Sequence, residues 1–120
     1  MTAAPTLPVP VSAYIAATNQ FDIDALMATF ADEALVNDHR NEFVGRDEIR
    51  NWAQREIVND RVTMWVTAAT SRGNSVAVTA NIDGDFDKTG LPVPLVLTFY
   101  FSVSAERIVQ LIIVHNKPTL

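Results

Sequence analysis

The chain has 120 residues, 48 % hydrophobic and 19 % charged, a balance typical of one globular domain and unlike that of a disordered chain. Its net charge of −5 argues against a nucleic-acid partner, because an acidic surface repels phosphate backbones. The absence of cysteine excludes disulfides and thiolate chemistry. We find neither a signal-peptide pattern nor the roughly 20 apolar residues of a membrane span, so we expect a cytoplasmic protein without membrane partners.

The N-terminal segment predicts a lead-in followed by a helix. Residues 1–10 contain three prolines and predict an extended, flexible stretch, so the single domain should occupy residues 11–120. A first helix should open at Pro10 or Ser12 and end near Asn19, because its apolar residues recur at spacings of three and four.

Two aspartates predict the starts of two further helices. Asp22 and Asp47 each precede an apolar stripe of helical period, and aspartate is a favoured N-cap residue. The predicted order is a second helix over 23–31, a short strand over 34–38, a polar loop over 39–43 and a third helix over 47–58.

The second half of the chain changes from helical to alternating period. We predict long strands over 61–71, 75–85, 94–104 and 107–116, the last two forming a hairpin. Three helices followed by antiparallel strands are an α+β pattern, in which a curved sheet wraps the helices and encloses an apolar pocket.

Alternation along these strands predicts which side chains face the helices. In the first long strand, Val62, Met64, Val66 and Ala68 should share one side, with Trp65 on the other. The rows predicted to face the helices are Leu95, Leu97, Phe99, Phe101 and Val103, and Val109, Leu111, Ile113 and His115. The opposite face, with Val96, Thr98 and Tyr100, is amphipathic rather than charged. Such a face often packs on another subunit, so we expect a homodimer through the sheet.

Three segments resemble a known family. They are Tyr14–Ala34 (YIAATNQFDIDALMATFADEA), the pair Asn37-Asp38, and GRDEI at Gly45–Ile49. The sequence resembles the nuclear transport factor 2-like superfamily, and within it ketosteroid isomerase and the SnoaL-like polyketide cyclases. The resemblance spans about Val11 to His115 and implies a cone-shaped, cystatin-like α+β fold with three helices on a curved, mainly antiparallel sheet.

The resemblance also implies site residues. The aspartate base of ketosteroid isomerase falls on Asp38, and its oxyanion-binding tyrosine falls on Tyr14. The position of a second, acidic oxyanion donor holds Phe99, with Thr98 on the opposite strand face, and a family tryptophan is replaced by His115. These departures move the expected activity from steroid isomerisation towards a relative with another substrate.

Each candidate catalytic residue also has a purely structural interpretation. Asp38 can cap a turn beside Asn37, Tyr14 can be a core aromatic, and His115 can be a core histidine whose hydrogen bonds are satisfied. As functional groups, Asp38 and His115 form an acid–base pair with Tyr14 as a hydroxyl donor. The sequence leaves both interpretations open.

An apolar small-molecule ligand is the expected partner. The resemblance places Trp52, Phe99 and Phe101 around the cavity, and with the apolar Leu111, Ile113 and Phe30 they are the expected substrate-binding side chains. No metal or cofactor is expected, because His39 lies in a polar loop and Asp83, Asp85 and Asp87 lack the glycine pattern of a calcium loop.

Two functions that use the pocket remain open from the sequence, beside the alternative of an accessory dimeric domain with a filled core. The first is a cofactor-independent isomerase or cyclase in which Asp38 removes a proton next to a carbonyl, with hydratase, dehydratase and epoxide hydrolase chemistry as related possibilities. The second is a non-catalytic ligand-binding or dimeric interaction module with the same pocket. Convergent polar groups in the cavity favour the enzyme.

Overall fold

The computed structural model describes residues 7–115. Its elements in chain order are α1 (Val9–Asn19), α2 (Ile23–Ala28), β1 (Phe30–Asp38), β2 (Asn41–Val44), α3 (Arg46–Ala53), a π-helical turn (Gln54–Val58), β3 (Thr63–Arg72), β4 (Ser75–Asp83), β5 (Leu95–Ser104) and β6 (Arg107–His115). The predicted α+β class is confirmed. None of the helices within this range has the length and hydropathy needed to cross a membrane.

The first helix begins earlier than the predicted lead-in allows. Helix α1 starts at Val9, with Pro10 in its first turn, where the missing N–H of proline costs no intrahelical hydrogen bond. The remainder of the predicted lead-in, residues 1–6, lies outside the described part of the chain, as does the predicted end of the last strand at residue 116.

The boundary between α2 and β1 differs from the prediction. Asp22 caps α2 as expected, its side chain accepting from the Ala25 N–H, but the helix ends at Ala28 instead of continuing to residue 31. Phe30 already pairs with Ile108 of β6, four residues before the start of the predicted strand. The apolar stripe misled the prediction because long-range strand pairing overrides local helical period.

The predicted loop over 39–43 is wrong. His39 and Arg40 form a two-residue turn with positive φ at both positions, and the chain returns as β2 beside β1. The predicted N-cap Asp47 is also wrong, because Gly45, at φ 87°, occupies the cap position. Asp47 lies in the first turn, where its charge favours the helix dipole.

All six strands form one sheet in the order β2-β1-β6-β5-β4-β3. Strands β1 and β6 are parallel, and every other neighbouring pair is antiparallel. Because β1 and β6 run in the same direction, their C-terminal ends lie side by side, at the open end of the pocket described below.

Two bulges correct the predicted strand faces. A register shift between Val66 and Ala68 turns Ala68 to the outer face, and Val66 is exposed near the sheet edge. A second shift opposite Val103 exposes Val109 and buries Ile108 in its place. The alternation predicted for β5 is confirmed at its centre, where Phe99 and Phe101 are buried and Tyr100 is exposed.

Candidate functional site

The ends of β1 and β6 bring two predicted site residues together. Asp38 is the last residue of β1 and pairs in register with Ile113 of β6, two positions before His115. The His39 N–H donates to the Ile113 carbonyl at 3.3 Å and extends the contact beyond the strand. The parallel pairing therefore places an aspartate and a histidine, 77 positions apart in sequence, at one edge of the sheet.

Asp38 is held by the aromatic side chain of α3. The Trp52 Nε1–H donates to Asp38 Oδ2 at 3.0 Å, while Oδ1 accepts no hydrogen bond from residues 7–115. Burial raises the pKa of Asp38, the Trp52 hydrogen bond opposes that rise, and the nearby Glu56 charge adds to it. One carboxylate oxygen is thus oriented and the other is free, in surroundings that make the carboxylate more basic.

Tyr14 lies deep on α1, in the packing of three phenylalanine rings. Its ring contacts Phe30 edge-on at a centroid distance of 6.1 Å, Phe101 at 5.3 Å and Phe99 at 6.4 Å. Burial and the charge of Asp38 raise the pKa of the Tyr14 hydroxyl far above its ordinary value. The hydroxyl therefore stays protonated across the physiological range and can only donate as a neutral group.

His115 is half-buried and lies against a second histidine. The His39 ring is 4.5 Å from the His115 ring, centroid to centroid, although His39 itself is exposed. Burial and the neighbouring His39 lower the pKa of His115 below 6.5, and Asp38 opposes this effect. At neutral pH the imidazole is therefore uncharged, with one N–H to donate. The sequence had assigned His39 to a solvated loop and missed this contact.

These groups open into one cavity of about 230 Å³ between the helices and the inner face of the sheet. Its lining contains all three predicted catalytic residues, Tyr14, Asp38 and His115, and three of the predicted substrate-binding residues, Trp52, Phe99 and Ile113. The structure thus brings these six side chains to one space, and their roles in catalysis or binding stay predictions.

The other three predicted substrate-binding residues are not part of the lining. Phe30, Phe101 and Leu111 are fully buried in the core behind the cavity. Phe101 and Leu111 were predicted to line the pocket because they share strand faces with Phe99 and Ile113, which do line it. The packing of α1 and α2 on that part of the sheet fills the space instead; Tyr14, for example, covers Phe30 and Phe101.

Several lining residues escaped the sequence-based prediction. Thr18 and Glu56 follow Tyr14 and Trp52 by four positions, a helical spacing that could have revealed both. Asp60, Phe86 and Leu91 come from the turn before β3 and the loop before β5, and no local pattern marks them. The missed set therefore contains both polar groups and part of the apolar wall.

The strand position at which the family has a second oxyanion donor is occupied by an apolar residue, Phe99. Phe99 faces the cavity, whereas Thr98 lies on the other sheet face, where its hydroxyl is 3.4 Å from that of Thr79. Within residues 7–115, no three histidine, aspartate or glutamate side chains are grouped as a metal site would require. The polar groups that converge are thus a carboxylate, a phenol and an imidazole, which are sufficient for proton transfer without a metal.

Comparison with known proteins identifies the family. The family model of the SnoaL-like domain matches residues 11–111. The chain belongs to the SnoaL-like family. No curated protein is similar enough in sequence to count as a match.

Solved structures support this assignment. A candidate polyketide cyclase from Sinorhizobium meliloti is 30 % identical, with a TM-score of 0.80 over 90 % of this chain and 95 % of the other. A ketosteroid isomerase-like protein from Catenulispora acidiphila, solved with trimethylamine, is 25 % identical, with a TM-score of 0.75 over 91 % and 86 %. A candidate polyketide cyclase from Xanthomonas campestris, 24 % identical over 89 % and 87 %, shows the same fold with a TM-score of 0.73. The predicted NTF2-like fold of this SnoaL-like protein is confirmed.

Proposed function

We propose that this SnoaL-like protein is a cofactor-independent enzyme of the isomerase or cyclase type, acting on a small apolar carbonyl compound. The observation that carries the proposal is the convergence of Asp38, Tyr14 and His115 on one cavity, with Asp38 oriented by Trp52. A basic carboxylate with two neutral hydrogen-bond donors in an apolar pocket is suited to making an enolate. The predicted cytoplasmic location and the absence of a cofactor are part of this proposal.

In the proposed first step the free oxygen of Asp38 takes a proton from the carbon next to the substrate carbonyl. The electron pair of the broken C–H bond forms the enolate, whose oxygen accepts hydrogen bonds from the Tyr14 hydroxyl and the His115 N–H. An isomerase then returns the proton to a different carbon. A cyclase instead lets the enolate carbon attack a second carbonyl, forming a C–C bond and an alkoxide that takes up the proton.

The electrostatics of the site support this division of roles. The raised pKa of Asp38 makes it a stronger base than an ordinary aspartate, while the high pKa of Tyr14 keeps its proton available for donation. The lowered pKa of His115 avoids a cation that would hold Asp38 as an unreactive ion pair. With Phe99 in place of another donor, the oxyanion is stabilised by two weakly acidic hydrogen-bond donors, the Tyr14 hydroxyl and the neutral His115 imidazole.

The test is proton exchange rather than turnover of a single substrate. A panel of small enolisable ketones is incubated with the protein in deuterium oxide, and deuterium at the α-carbon is followed by NMR. We expect exchange well above buffer and a loss on the order of 10²-fold or more in Asp38→Asn, because the general base is gone. Glu106→Gln, at an exposed hairpin turn, is the control that keeps activity. Equal exchange in Asp38→Asn and the wild type contradicts the proposal.

A non-catalytic binding module is the second candidate. The apolar Phe99 and the predominance of aliphatic and aromatic side chains in the lining favour it, because a binding cavity needs few polar groups. Saturable binding of small apolar ketones without α-proton exchange would select this candidate over the enzyme.

We also propose a homodimer through the outer face of the sheet. Trp65, Tyr100 and Val114 lie on this face with 76 %, 48 % and 39 % of their surfaces exposed, and no helix within residues 7–115 covers these apolar side chains. Light scattering after size exclusion should give twice the mass of one chain. Tyr100→Lys should give the monomer mass with the fold retained, and a wild-type monomer at all concentrations refutes the dimer.

A further inference from the structure

The ionisable side chains of the cavity lining are mostly carboxylates. Asp38, Glu56 and Asp60 all line it, and within residues 7–115 no lysine or arginine does. His115, the remaining titratable side chain apart from Tyr14, is uncharged at neutral pH for the reasons given above. A ligand entering this space therefore meets negative charge only.

The cations close to the cavity are already engaged elsewhere. Arg55 pairs with Glu56 at 3.0 Å and Lys88 pairs with Asp83 at 2.8 Å, while Arg61 lies over the Phe21 ring. Glu56 is thus partly neutralised on the solvent side. The Asp60 carboxylate, in contrast, makes no hydrogen bond or ion pair with any residue of the described chain, although it is half-buried.

A buried hydroxyl supplies a further polar group that could bind a ligand. Thr18 also lines the cavity and is only 1 % exposed, and its Oγ1 atom has no hydrogen-bond partner within the described chain. The Tyr14 hydroxyl is close enough for Thr18 to lower the Tyr14 pKa slightly, so the two hydroxyls together could contact a polar ligand group. A buried hydroxyl without a partner costs free energy, and a polar ligand group at this position would remove that cost.

The remaining lining suits the other parts of a cationic ligand. The rings of Tyr14, Trp52, Phe86 and Phe99 face the cavity, and the faces of such rings attract ammonium groups. Apolar side chains from the π-helical turn, the connections and the strands, such as Ile57, Leu91 and Leu97, complete the apolar wall. The cavity can therefore enclose an apolar body and hold a positive charge on the same molecule.

We infer that the ligand of this cavity is a small apolar molecule carrying a protonated amine, and that carboxylate- and phosphate-bearing compounds are rejected. This inference names the substrate class of the proposed reaction and so rests on the proposed function: the substrate would carry both a carbonyl and a basic nitrogen. In that reaction a nearby ammonium group would also favour the ionised form of Asp38 and stabilise the enolate. Asp60 would accept a hydrogen bond from the ammonium group.

The experiment compares three probes that share one apolar body and differ in charge: phenylbutylamine, phenylbutanol and phenylbutyrate. Binding to the full chain is measured by titration calorimetry at neutral pH, with thermal unfolding as a check on folding. The variants are Asp60→Asn and Glu56→Gln, and Glu106→Gln is the control that removes one carboxylate away from the cavity.

We expect the amine to bind at least about tenfold more tightly than the alcohol, and the carboxylate to bind most weakly. Asp60→Asn should remove most of the amine preference while leaving alcohol binding unchanged, which also shows that the variant is folded. Glu56→Gln should have a smaller effect because Arg55 already pairs with that carboxylate. The Glu106→Gln control should bind like the wild type.

Equal affinity for amine and alcohol, or preference for the carboxylate, overturns the inference. The outcome is separable from that of the exchange test. If ketone α-protons exchange but the amine is not preferred, the proposed enzyme activity is supported and the proposed amine-bearing substrate class is refuted. If the amine is preferred but no α-proton exchange occurs, an amine-binding site is supported and the proposed enzyme activity is refuted.

Discussion

Replacing Trp52 by phenylalanine isolates the hydrogen bond that orients the proposed base. The substitution keeps an aromatic ring in a fully buried position and removes the N–H that donates to Asp38 Oδ2 at 3.0 Å. This hydrogen bond favours the ionised carboxylate, so its loss raises the pKa of Asp38 further. The acid limb of the exchange rate should therefore move to higher pH.

The size of the effect follows from the type of bond. A hydrogen bond to a charged group contributes about 1.5 to 3 kcal/mol, and the half-buried position of Asp38 favours the lower end. At pH values below the pKa of Asp38, the exchange rate of Trp52→Phe should thus be about tenfold lower than that of the wild type. The reason is that about 1.4 kcal/mol changes the ionised fraction of Asp38 by that factor. Above the limb the exchange rate should fall much less, because a more basic carboxylate partly offsets its poorer orientation.

The assay is the pH profile of α-proton exchange for the wild type, Trp52→Phe and Phe43→Leu. Phe43 packs on Trp52 with ring centroids 6.1 Å apart, so its substitution disturbs the indole without removing the N–H. A pH-independent fall in Trp52→Phe, or an equal shift in Phe43→Leu, refutes the assigned role because packing alone would explain it.

Three further predictions concern single residues. Asp38→Asn should unfold at a higher temperature than the wild type at pH 7. The folded state binds the Asp38 proton more tightly than the unfolded state does. The unfolding free energy of the wild type therefore falls as pH rises from 3.8 through the raised pKa of Asp38. Thermal scans should show the gap closing towards acid pH, and a constant gap would contradict the pKa assignment. Tyr14→Phe should lower the exchange rate by about 10²- to 10³-fold in rate assays, as loss of an oxyanion donor does; full activity would remove Tyr14 from the mechanism. Gly84→Ala should destabilise the fold by about 1 to 3 kcal/mol in denaturant titrations, because its Cβ would lie 2.8 Å from the Asp60 carbonyl oxygen; unchanged stability would mean that the turn shifts freely.

The sequence predicted the fold where local period and three-dimensional packing agree. The alternation through Phe99, Tyr100 and Phe101 matches their burial because β5 lies between two paired neighbours with regular register at its centre. It failed at Phe30 and Val109, where the outcome depends on pairing with a strand far away in sequence. A bulge reverses the faces beyond it, and the side-chain period alone contains no sign of that reversal.

The sequence predicted the residues of the candidate site that lie on helices and strands, but not those on the connecting loops. Asp38, Tyr14 and His115 came from the family resemblance and the strand faces, and all three line the cavity. Asp60 and Phe86 did not, because they belong to connections whose path is fixed by contacts such as the Asp85 N–H donating to the Asp60 carbonyl. Loop residues of this kind have no periodicity that a sequence pattern could reveal.

The central place of the last strand has a consequence for synthesis. Strand β6 lies between β1 and β5, so the β1–β2 hairpin joins the rest of the sheet only through it. A chain still growing on the ribosome has the residues of its helices and of strands β3 to β5, but the β1–β2 hairpin that contains Asp38 has no place in the sheet until β6 has emerged. Long-range pairing of this kind also slows folding. The proposed base therefore gains its β6 partner only after residues 107–115 have been synthesised, and any product truncated before β6 would lack both His115 and the strand that pairs with Asp38.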